Sequence, residues 1–319
     1  MEGDELKLFD RGIRHATEAS SGAALDAALA DLGWHDALTA DRRAAVSLLF
    51  ECQGATNATS SSLDQLLAVG LGVDDGRALT VLLPPLRTRT APGRLTGDRC
   101  ALRGLATAQL DRSDTVLVVA EAADTHAAFA VSTSALSRRP LGGIDPGLGM
   151  LEVTGDIAVE GAEPLGAVDW TAAVALGHLA LGHELVGTAR TMLELARTHA
   201  LERIQFGRPI ATFQAVRHRL ADSLVAIEAA AALLAAAWDD PSPVNASMAK
   251  SSAGRGARTV ARHCQQVLAG IGFTTEHPFH RYYRRTVVLD QLLGSSSVLT
   301  SELGTEVLRS RTLPPVLPL

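Results

Sequence analysis

Apolar residues recur at helical spacing over long stretches of the C-terminal half, and this pattern constrains the fold more than any other feature. After Asp169, the helical patterns cover about 171–202, 212–238, 244–269 and 284–309. In the second of these, six apolar residues at alternating steps of four and three predict one buried stripe: Leu220, Leu224, Ile227, Ala231, Leu234 and Trp238. Short breaks at 207–209, 241–243 and 270–278 separate the patterns. Four long helices with short connections imply a four-helix bundle.

The sequence before Asp169 divides into two regions that differ in their residue patterns. Helical patterns around 23–32, 42–52 and 63–69 lie in the first, where Asp41 is a plausible N-cap. Short β-like runs at 80–83, 115–119, 128–131 and 151–153 alternate with proline and glycine turns in the second. We therefore predict a mainly α-helical chain with a small β-domain. The predicted parts are a truncated N-terminal helical domain (1–77), a reduced β-domain (78–164), the C-terminal four-helix bundle (165–312) and a tail (313–319).

The composition is that of an ordinary soluble protein. The 319 residues are 47% hydrophobic and 20% charged, and a net charge of −6 gives no reason to expect binding to nucleic acid or to a membrane surface. No apolar run reaches the ~20 residues that span a bilayer, and the N-terminus lacks the pattern of a signal peptide. The three cysteines, Cys52, Cys100 and Cys264, are scattered, which favours small buried side chains in a reducing compartment. We expect a cytoplasmic protein.

The break between the first two bundle helices has a composition that suits an anionic ligand. Its sequence is RIQFGRPI (203–210), and Phe213 and Gln214 follow closely. Arginine supplies planar, permanently charged donors that match phosphate. The Gly-Arg-Pro sequence can end one helix, expose backbone groups and begin the next. The residues therefore predict a corner that binds an anionic, aromatic ligand such as a nucleotide.

A second glycine-containing break follows the third bundle helix, in the sequence QQVLAGIGF (265–273). Gly270 and Gly272 allow close approach of a ligand or partner, although a simple helix end and turn would also explain them. A basic run follows: His277, His280, Arg281, Arg284 and Arg285. We interpret this run as a solvated or ion-paired surface, with subunit contact or attraction of anionic phosphates as the alternative.

Both segments closely resemble signatures of the acyl-CoA dehydrogenase family. The resemblance is specific over about 170–297, weak over 78–160 and only architectural before that. In that family the two segments contact the adenosine-diphosphate part of FAD across a subunit interface. The resemblance therefore implies FAD as cofactor and the following cofactor-binding residues: Arg203, Gln205, Phe206, Gln214, Gln266 and Gly270. Ala269 replaces the first glycine of the family's usual pair.

The positions at which the family places its catalytic glutamate do not match. In most members the position corresponds to Leu293, and in a minority branch it corresponds to about Gly177. Neither side chain can remove a proton, so no catalytic residue is assigned to this chain. His178 and Glu184 are the nearest titratable residues, and we interpret both as structural. The family's flavin-holding loop and tryptophan strand are also missing where 83–86 and 101–104 stand.

The chain thus resembles the short subunit of a heteromeric acyl-CoA dehydrogenase, similar to those that actinobacteria use for β-oxidation of steroid side chains, including that of cholesterol. This implies α,β-dehydrogenation of an acyl-CoA thioester in an α2β2 complex whose longer subunit supplies the glutamate and the flavin-ring site. Two alternatives stay open. One is a self-sufficient homotetrameric dehydrogenase with an unrecognised base, and the other is a non-enzymatic helical interaction protein of the same fold.

Overall fold

The computed structural model describes residues 3–73, 80–122 and 125–311, and it begins with a helical region. Five helices form this region: α1 (Gly3–Ala19), α2 (Ala23–Asp31), α3 (Trp34–Ala40), α4 (Arg42–Thr56) and α5 (Ser62–Leu71). The predicted cap is confirmed, because the Asp41 side chain accepts a hydrogen bond from the Ala44 amide at 3.0 Å. The three helical patterns of this region correspond to α2, α4 and α5.

An eight-stranded sheet follows the helical region. Its strands are β1 (Thr80–Val81), β2 (Gly93–Thr96), β3 (Arg99–Ala106), β4 (Thr115–Ala122), β5 (Thr125–Ser132), β6 (Ser137–Pro140), β7 (Leu151–Ala158) and β8 (Glu163–Ala167). They lie in the order β6-β7-β3-β2-β4-β5-β8, and β1 pairs in parallel with β4. Alternation along β4 places Leu117 and Val119 in the main core and Val118 in a second core. One face of the sheet therefore packs into the same core as the helices.

The C-terminal half is a helical bundle. Its helices are α6 (Trp170–Glu202), α7 (Gln214–Asp239), α8 (Pro243–Leu268), α9 (Phe279–Gln291) and α10 (Ser296–Ser310), and a small hairpin of β9 (Ile204–Gln205) and β10 (Arg208–Pro209) joins α6 to α7. The first three predicted helices are confirmed. The prediction of one continuous helix over 284–309 is wrong, because α9 ends before Leu293 and Gly294, whose φ angles are 54° and 95°. Left-handed residues of this kind end a helix.

Helix α7 is less buried than its apolar pattern predicts. Ile227 and Leu234 are buried, but Leu224 is 51% exposed, and the buried face is completed by Ser223 and Ala230 instead. Among the described residues, α7 is the one helix that is long and apolar enough to cross a membrane by those two criteria. Core helices of soluble proteins meet the same criteria, and α7 packs against α6 and α8. We therefore interpret it as a bundle helix.

Three further sequence-based expectations concern buried thiols, boundaries and the tail. Cys52, Cys100 and Cys264 are all buried and free, as expected. The domain boundaries stay predictions. Residues 78–79 and the predicted tail at 313–319 lie outside the described residues.

A buried carboxyl group attaches the helical region to the sheet. Asp64 of α5 is fully buried, and it accepts hydrogen bonds from the Val81 amide (3.0 Å) and the Thr107 hydroxyl (2.6 Å). Burial raises the pKa of Asp64 to about 7, although both hydrogen bonds oppose the rise. The folded protein therefore retains a proton here at pH values where an unfolded aspartate has lost it.

We expect Asp64→Asn to flatten the pH dependence of stability. A raised folded-state pKa contributes stability that is present below the ordinary value of 3.8 and is lost as the pH rises through about 7. Urea unfolding between roughly pH 5 and 8 should show a falling free energy of unfolding in the wild type and a smaller fall in Asp64→Asn. The matched control Asp169→Asn, at the exposed N-cap of α6, should keep the wild-type slope. Equal slopes in wild type and Asp64→Asn would contradict the assignment.

Candidate cofactor-binding site

The hairpin between α6 and α7 projects an aromatic residue into solvent. Helix α6 ends at Arg203, and Gln205 pairs with Arg208 across the hairpin. The two residues of the turn, Phe206 and Gly207, have φ angles of 51° and 79°. Both positions of such a tight turn require positive φ, which glycine adopts freely and phenylalanine adopts at a cost of roughly 1–3 kcal/mol. The turn leaves Phe206 92% exposed.

Aromatic contacts order this corner of the molecule. The Phe206 ring lies edge-on to Phe213 at 6.1 Å between centroids, and the Arg208 guanidinium lies 4.5 Å above the Phe213 ring. Arg203 and Gln214 are exposed beside it. Within the described part of the chain, the Arg203 side chain has no hydrogen bond or ion pair. The corner therefore offers a free cation next to an exposed ring.

The second predicted segment also leaves groups exposed. Ala269 lies just after α8 with a φ of 52°, and a 3-10 turn over Ala269–Phe273 follows. Gln266 and Gly270 are exposed, and a Cβ added at Gly270 would meet no atom within 4 Å. At Gly272, by contrast, it would lie 3.0 Å from the Leu268 Cβ. Gly272 thus serves packing within the chain, whereas the space beside Gly270 is open to a ligand or a partner.

A groove of about 1250 Å³ runs along α8 and includes Gln266 and Gly270 in its lining. Residues of α9 and α10 form its other wall, among them Tyr283 and Ser297. His178, near the start of α6, lies 3.3 Å from the Ser247 hydroxyl near the start of α8, so the two helices run parallel. Their C-terminal ends, and with them the hairpin and the groove, therefore lie at the same end of the bundle.

The two expected base positions, which are far apart in sequence, are in direct contact. Leu293 is 1% exposed, and a Cβ added at Gly177 would lie 2.4 Å from the Leu293 Cδ1. The same Cβ would lie 3.1 Å from the Leu67 Cδ2. The leucine therefore fills the space that the missing side chain of Gly177 leaves. The site where the family's carboxylate would stand is closed by apolar packing.

Buried polar groups fix the turn that carries Leu293. The His178 Nε2 lies 2.8 Å from the Leu293 carbonyl oxygen, and the Lys250 ammonium donates to the carbonyl oxygens of Asp290 (3.0 Å) and Gly294. Burial, assisted by the charge of Lys250, lowers the pKa of His178 to about 3, and burial lowers that of Lys250 to about 7. A neutral His178 can donate from Nε2 to the carbonyl. Its role is structural in this geometry.

The basic run was interpreted as a surface, and for Arg285 that interpretation is wrong. Arg285 is 1% exposed, donates to the Asp145 carboxylate at 2.7 Å and lies 3.5 Å from the Glu184 carboxyl oxygen. Burial raises the pKa of Glu184 to about 7, and the neighbouring Arg285 opposes the rise. The helical spacing could have indicated that Arg285 is buried, because it lies one turn before the buried Leu289 of α9.

The interior next to Glu184 has little free space. The cavity between the N-terminal helices, the sheet and the bundle measures about 60 Å³, and its lining includes Phe50, Gln53, Thr107, Met150, Glu184 and Leu292. This volume suits water molecules rather than an acyl thioester or a flavin. Segments 83–86 and 101–104, where the family's flavin-holding loop and strand were expected, also contact each other. A Cβ added at Gly104 would lie 2.2 Å from the Leu83 carbonyl oxygen. The residues at the groove and hairpin are therefore of the kind that suits the phosphate end of a dinucleotide, whereas the internal cavity beside Glu184 is too small for its ring.

Comparisons with known proteins identify the C-terminal half. Residues 169–308 match the family model of the acyl-CoA dehydrogenase C-terminal domain. The acyl-CoA dehydrogenase IpdE2 of Mycobacterium tuberculosis is 41% identical over 130 residues, which cover 41% of this chain and 41% of IpdE2. The human mitochondrial short-chain specific acyl-CoA dehydrogenase is 31% identical over 140 residues, or 42% of this chain and 34% of the human protein. The match thus spans about two fifths or less of these relatives.

Solved structures extend the similarity to the fold of the whole chain. The ChsE4-ChsE5 complex from Mycobacterium tuberculosis has a chain with a TM-score of 0.75 at 21% identity, covering 98% of this chain and 99% of that one. A Tcur3481-Tcur3483 steroid ACAD variant gives 0.77 at 24% identity, with 97% and 99% covered. A glutaryl-CoA dehydrogenase of Mycobacterium smegmatis, solved in complex with FADH2, gives 0.73 at 14% identity, with 98% and 97% covered. The chain has the acyl-CoA dehydrogenase fold. The family match covers residues 169–308, which are somewhat less than half of the chain.

We expect Leu293→Glu to destabilise the chain. The new carboxylate would be buried against Gly177 and Leu67, and Lys250, the cation next to the same turn, already donates to the carbonyl oxygens of Asp290 and Gly294. A buried charge without its own partner costs roughly 3–5 kcal/mol. Urea unfolding at neutral pH should show this loss, and Leu293→Met, which keeps the volume, should cost less than about 1.5 kcal/mol. Wild-type stability of Leu293→Glu would mean that the position opens to solvent and is not sealed.

Proposed function

We propose that this chain is the short, non-catalytic subunit of a heteromeric FAD-dependent acyl-CoA dehydrogenase. The observation that carries the proposal is the contact between Leu293 and Gly177, which closes both expected base positions. The same chain keeps Arg203, Gln266 and Gly270 exposed at one end of the bundle. A longer partner subunit supplies the catalytic glutamate and the site for the flavin ring.

The reaction is α,β-dehydrogenation of an acyl-CoA thioester, in which the partner's base removes the α-proton. Bound FAD supplies the acceptor for the β-hydride. This chain holds the adenosine-diphosphate end of the cofactor. Arg203 would donate to the pyrophosphate, and Gln266 and Gly270 would contact the same cofactor from the groove. Gln205 and Phe206 would meet the pyrophosphate and adenosine side with Arg203, and Gln214 would be a further cofactor-binding residue.

The named relatives support the substrate class and the assembly. IpdE2 and FadE34 of Mycobacterium tuberculosis are acyl-CoA dehydrogenases, and one similar structure is a steroid ACAD. ChsE4-ChsE5 is a complex of two different proteins. We therefore propose a cytoplasmic α2β2 complex that acts in β-oxidation of steroid side chains, such as that of cholesterol, without binding nucleic acid or membranes.

One observation favours the self-sufficient homotetramer as the alternative. Glu184 is a buried carboxyl group with a pKa near 7 in the lining of an internal cavity, and such groups often act as bases. Against this, Arg285 lies 3.5 Å from the carboxyl oxygen, and a cavity of about 60 Å³ does not admit an acyl thioester. A helical interaction protein without cofactor is the remaining alternative, and it would make no use of the exposed Arg203.

We expect Arg203→Ala to weaken FAD retention in the co-expressed complex by about one to two decades, because a charge-assisted hydrogen bond contributes roughly 1.5–3 kcal/mol. Flavin absorbance per complex after dilution and gel filtration measures this. Arg197→Ala is the matched control, since Arg197 is exposed on α6 and pairs with Glu194. Unchanged FAD occupancy in Arg203→Ala would show that the arginine has no role in holding the cofactor.

Native mass spectrometry of the co-expressed complex should give an α2β2 tetramer with two FAD. Each heterodimer can complete one site, with the partner's flavin cradle and this chain's hairpin and groove, whereas the reciprocal site lacks a cradle. The chain expressed alone should show no flavin spectrum. Four FAD per tetramer, or a flavin-loaded homo-oligomer of this chain that acyl-CoA reduces, would support the homotetramer instead.

A further inference from the structure

Helix α7 carries a mostly apolar stripe on the face that points away from the bundle. Its members follow each other at steps of four and three residues, and every one of them is exposed. Residues at these steps lie on one face of a helix, and the stripe extends over about 27 Å of the axis. We call it the outer stripe, and its members are Arg217, Ala221, Leu224, Glu228, Ala232 and Ala235.

The outer stripe leaves large apolar side chains in contact with solvent. Leu224 is 51% exposed, and Val225, which lies beside it, is 67% exposed. The most apolar stretch of α7 is hydrophobic enough for a membrane span, yet only 28% of it is buried. A core helix of a soluble protein with such a sequence is mostly buried. A second surface that covers the outer stripe would account for this excess of exposed apolar area.

Two charged residues of opposite sign flank the apolar centre of the stripe. Arg217 precedes Ala221, and Glu228 follows Leu224 about three turns further along the same face. Among the residues that the structure describes, neither charged side chain has a hydrogen bond or an ion pair. If a second copy of the chain lies antiparallel about a two-fold axis between Ala221 and Leu224, Arg217 of each copy meets Glu228 of the other. The stripe is therefore complementary to itself in charge, as a two-fold interface requires.

The same antiparallel register also matches side-chain sizes. It places Leu224 of each copy opposite Ala221 of the other, so a large side chain meets a small one on both sides of the axis. Steps of four and three residues are those of helices that pack at a crossing angle of about 20°. A parallel arrangement in register would instead place Arg217 beside Arg217 and Glu228 beside Glu228. Size and charge thus both favour an antiparallel second copy as the covering surface.

We propose that the outer stripe of α7 is the surface through which two copies of this chain pair, antiparallel, about a two-fold axis. The pairing uses side chains of α7 and needs no cofactor, so it does not depend on the reaction. In the proposed α2β2 complex the same surface joins the two short subunits, and that part rests on the proposed function.

Sedimentation equilibrium of the full chain measures the pairing. The wild type should dimerise at micromolar concentration, and Arg217→Glu should raise the Kd of the dimer by about 10- to 100-fold, because both ion pairs become contacts between like charges. Arg217→Glu/Glu228→Arg exchanges the two charges and should restore the wild-type Kd. The matched control Arg11→Glu reverses an exposed arginine on α1 and should leave the Kd unchanged. Circular dichroism checks that each variant is folded.

A variant of the apolar centre separates the possible covering surfaces. Leu224→Asp should give a folded monomer. The proposal is overturned if the wild type stays monomeric at about 100 μM, or if the charge-exchanged variant pairs as weakly as Arg217→Glu. Binding of the wild type to phosphatidylcholine vesicles that is lost in Leu224→Asp would assign the stripe to a membrane and would also overturn the proposal. FAD retention governed by Arg203 would in each case still test the proposed function separately.

Discussion

The arrangement of the three regions depends on one buried guanidinium. Arg285 of α9 reaches the Asp145 carboxylate after the sheet's β6 strand, the Ala58 carbonyl oxygen (3.1 Å) in the N-terminal region and Glu184 of α6. Taking a cation out of water costs several kcal/mol, and only a full set of acceptors offsets that cost. Those acceptors come from three separate parts of the chain. The position of α9 is therefore specified by all three regions at once, and removing the cation would leave two buried carboxyl groups without it.

The placement of α9 determines what its end can do. Because α9 is fixed, the turn after it directs Leu293 onto Gly177, and His178 and Lys250 bind the turn's carbonyl groups. The other face of α9 forms a wall of the groove through Tyr283. A single helix thus contributes both to closing the expected base position and to forming the groove. The closed position at Leu293 and the open groove are consequences of the same packing.

Local signals in the sequence predict most of the fold. The 3.6-residue period identifies α6, α7 and α8, a side-chain cap marks the start of α4, and glycine and proline mark the turns. The failures concern long-range contacts. Arg285 and Asp145 are 140 residues apart, so no residue close to Arg285 in the sequence indicates that it has a buried partner. The prediction of one continuous helix through Leu293 fails for the same reason. The positive φ of this leucine is held by contacts from α6 and α8, which are distant in sequence. The resemblance predicts the hairpin residues and two residues of the groove, whereas the other residues of the groove come together only in the folded structure.

Titratable side chains near the expected base positions differ in their bonding from the arginines at the surface groove. Inside the molecule, the titratable residues nearest the expected base positions are all bonded: His178 to Leu293, Lys250 to Gly294 and Glu184 near Arg285. At the surface, Arg255 and Arg262 face an open groove, and neither has an ion pair with any residue that the structure describes. A chain that needed its own catalytic centre would keep polar groups free in the interior and would not fill that space with leucine. A chain that completes a site on another surface needs a sealed interior and cations available outside, and the described residues combine a closed contact between Leu293 and Gly177 with arginines exposed at the groove.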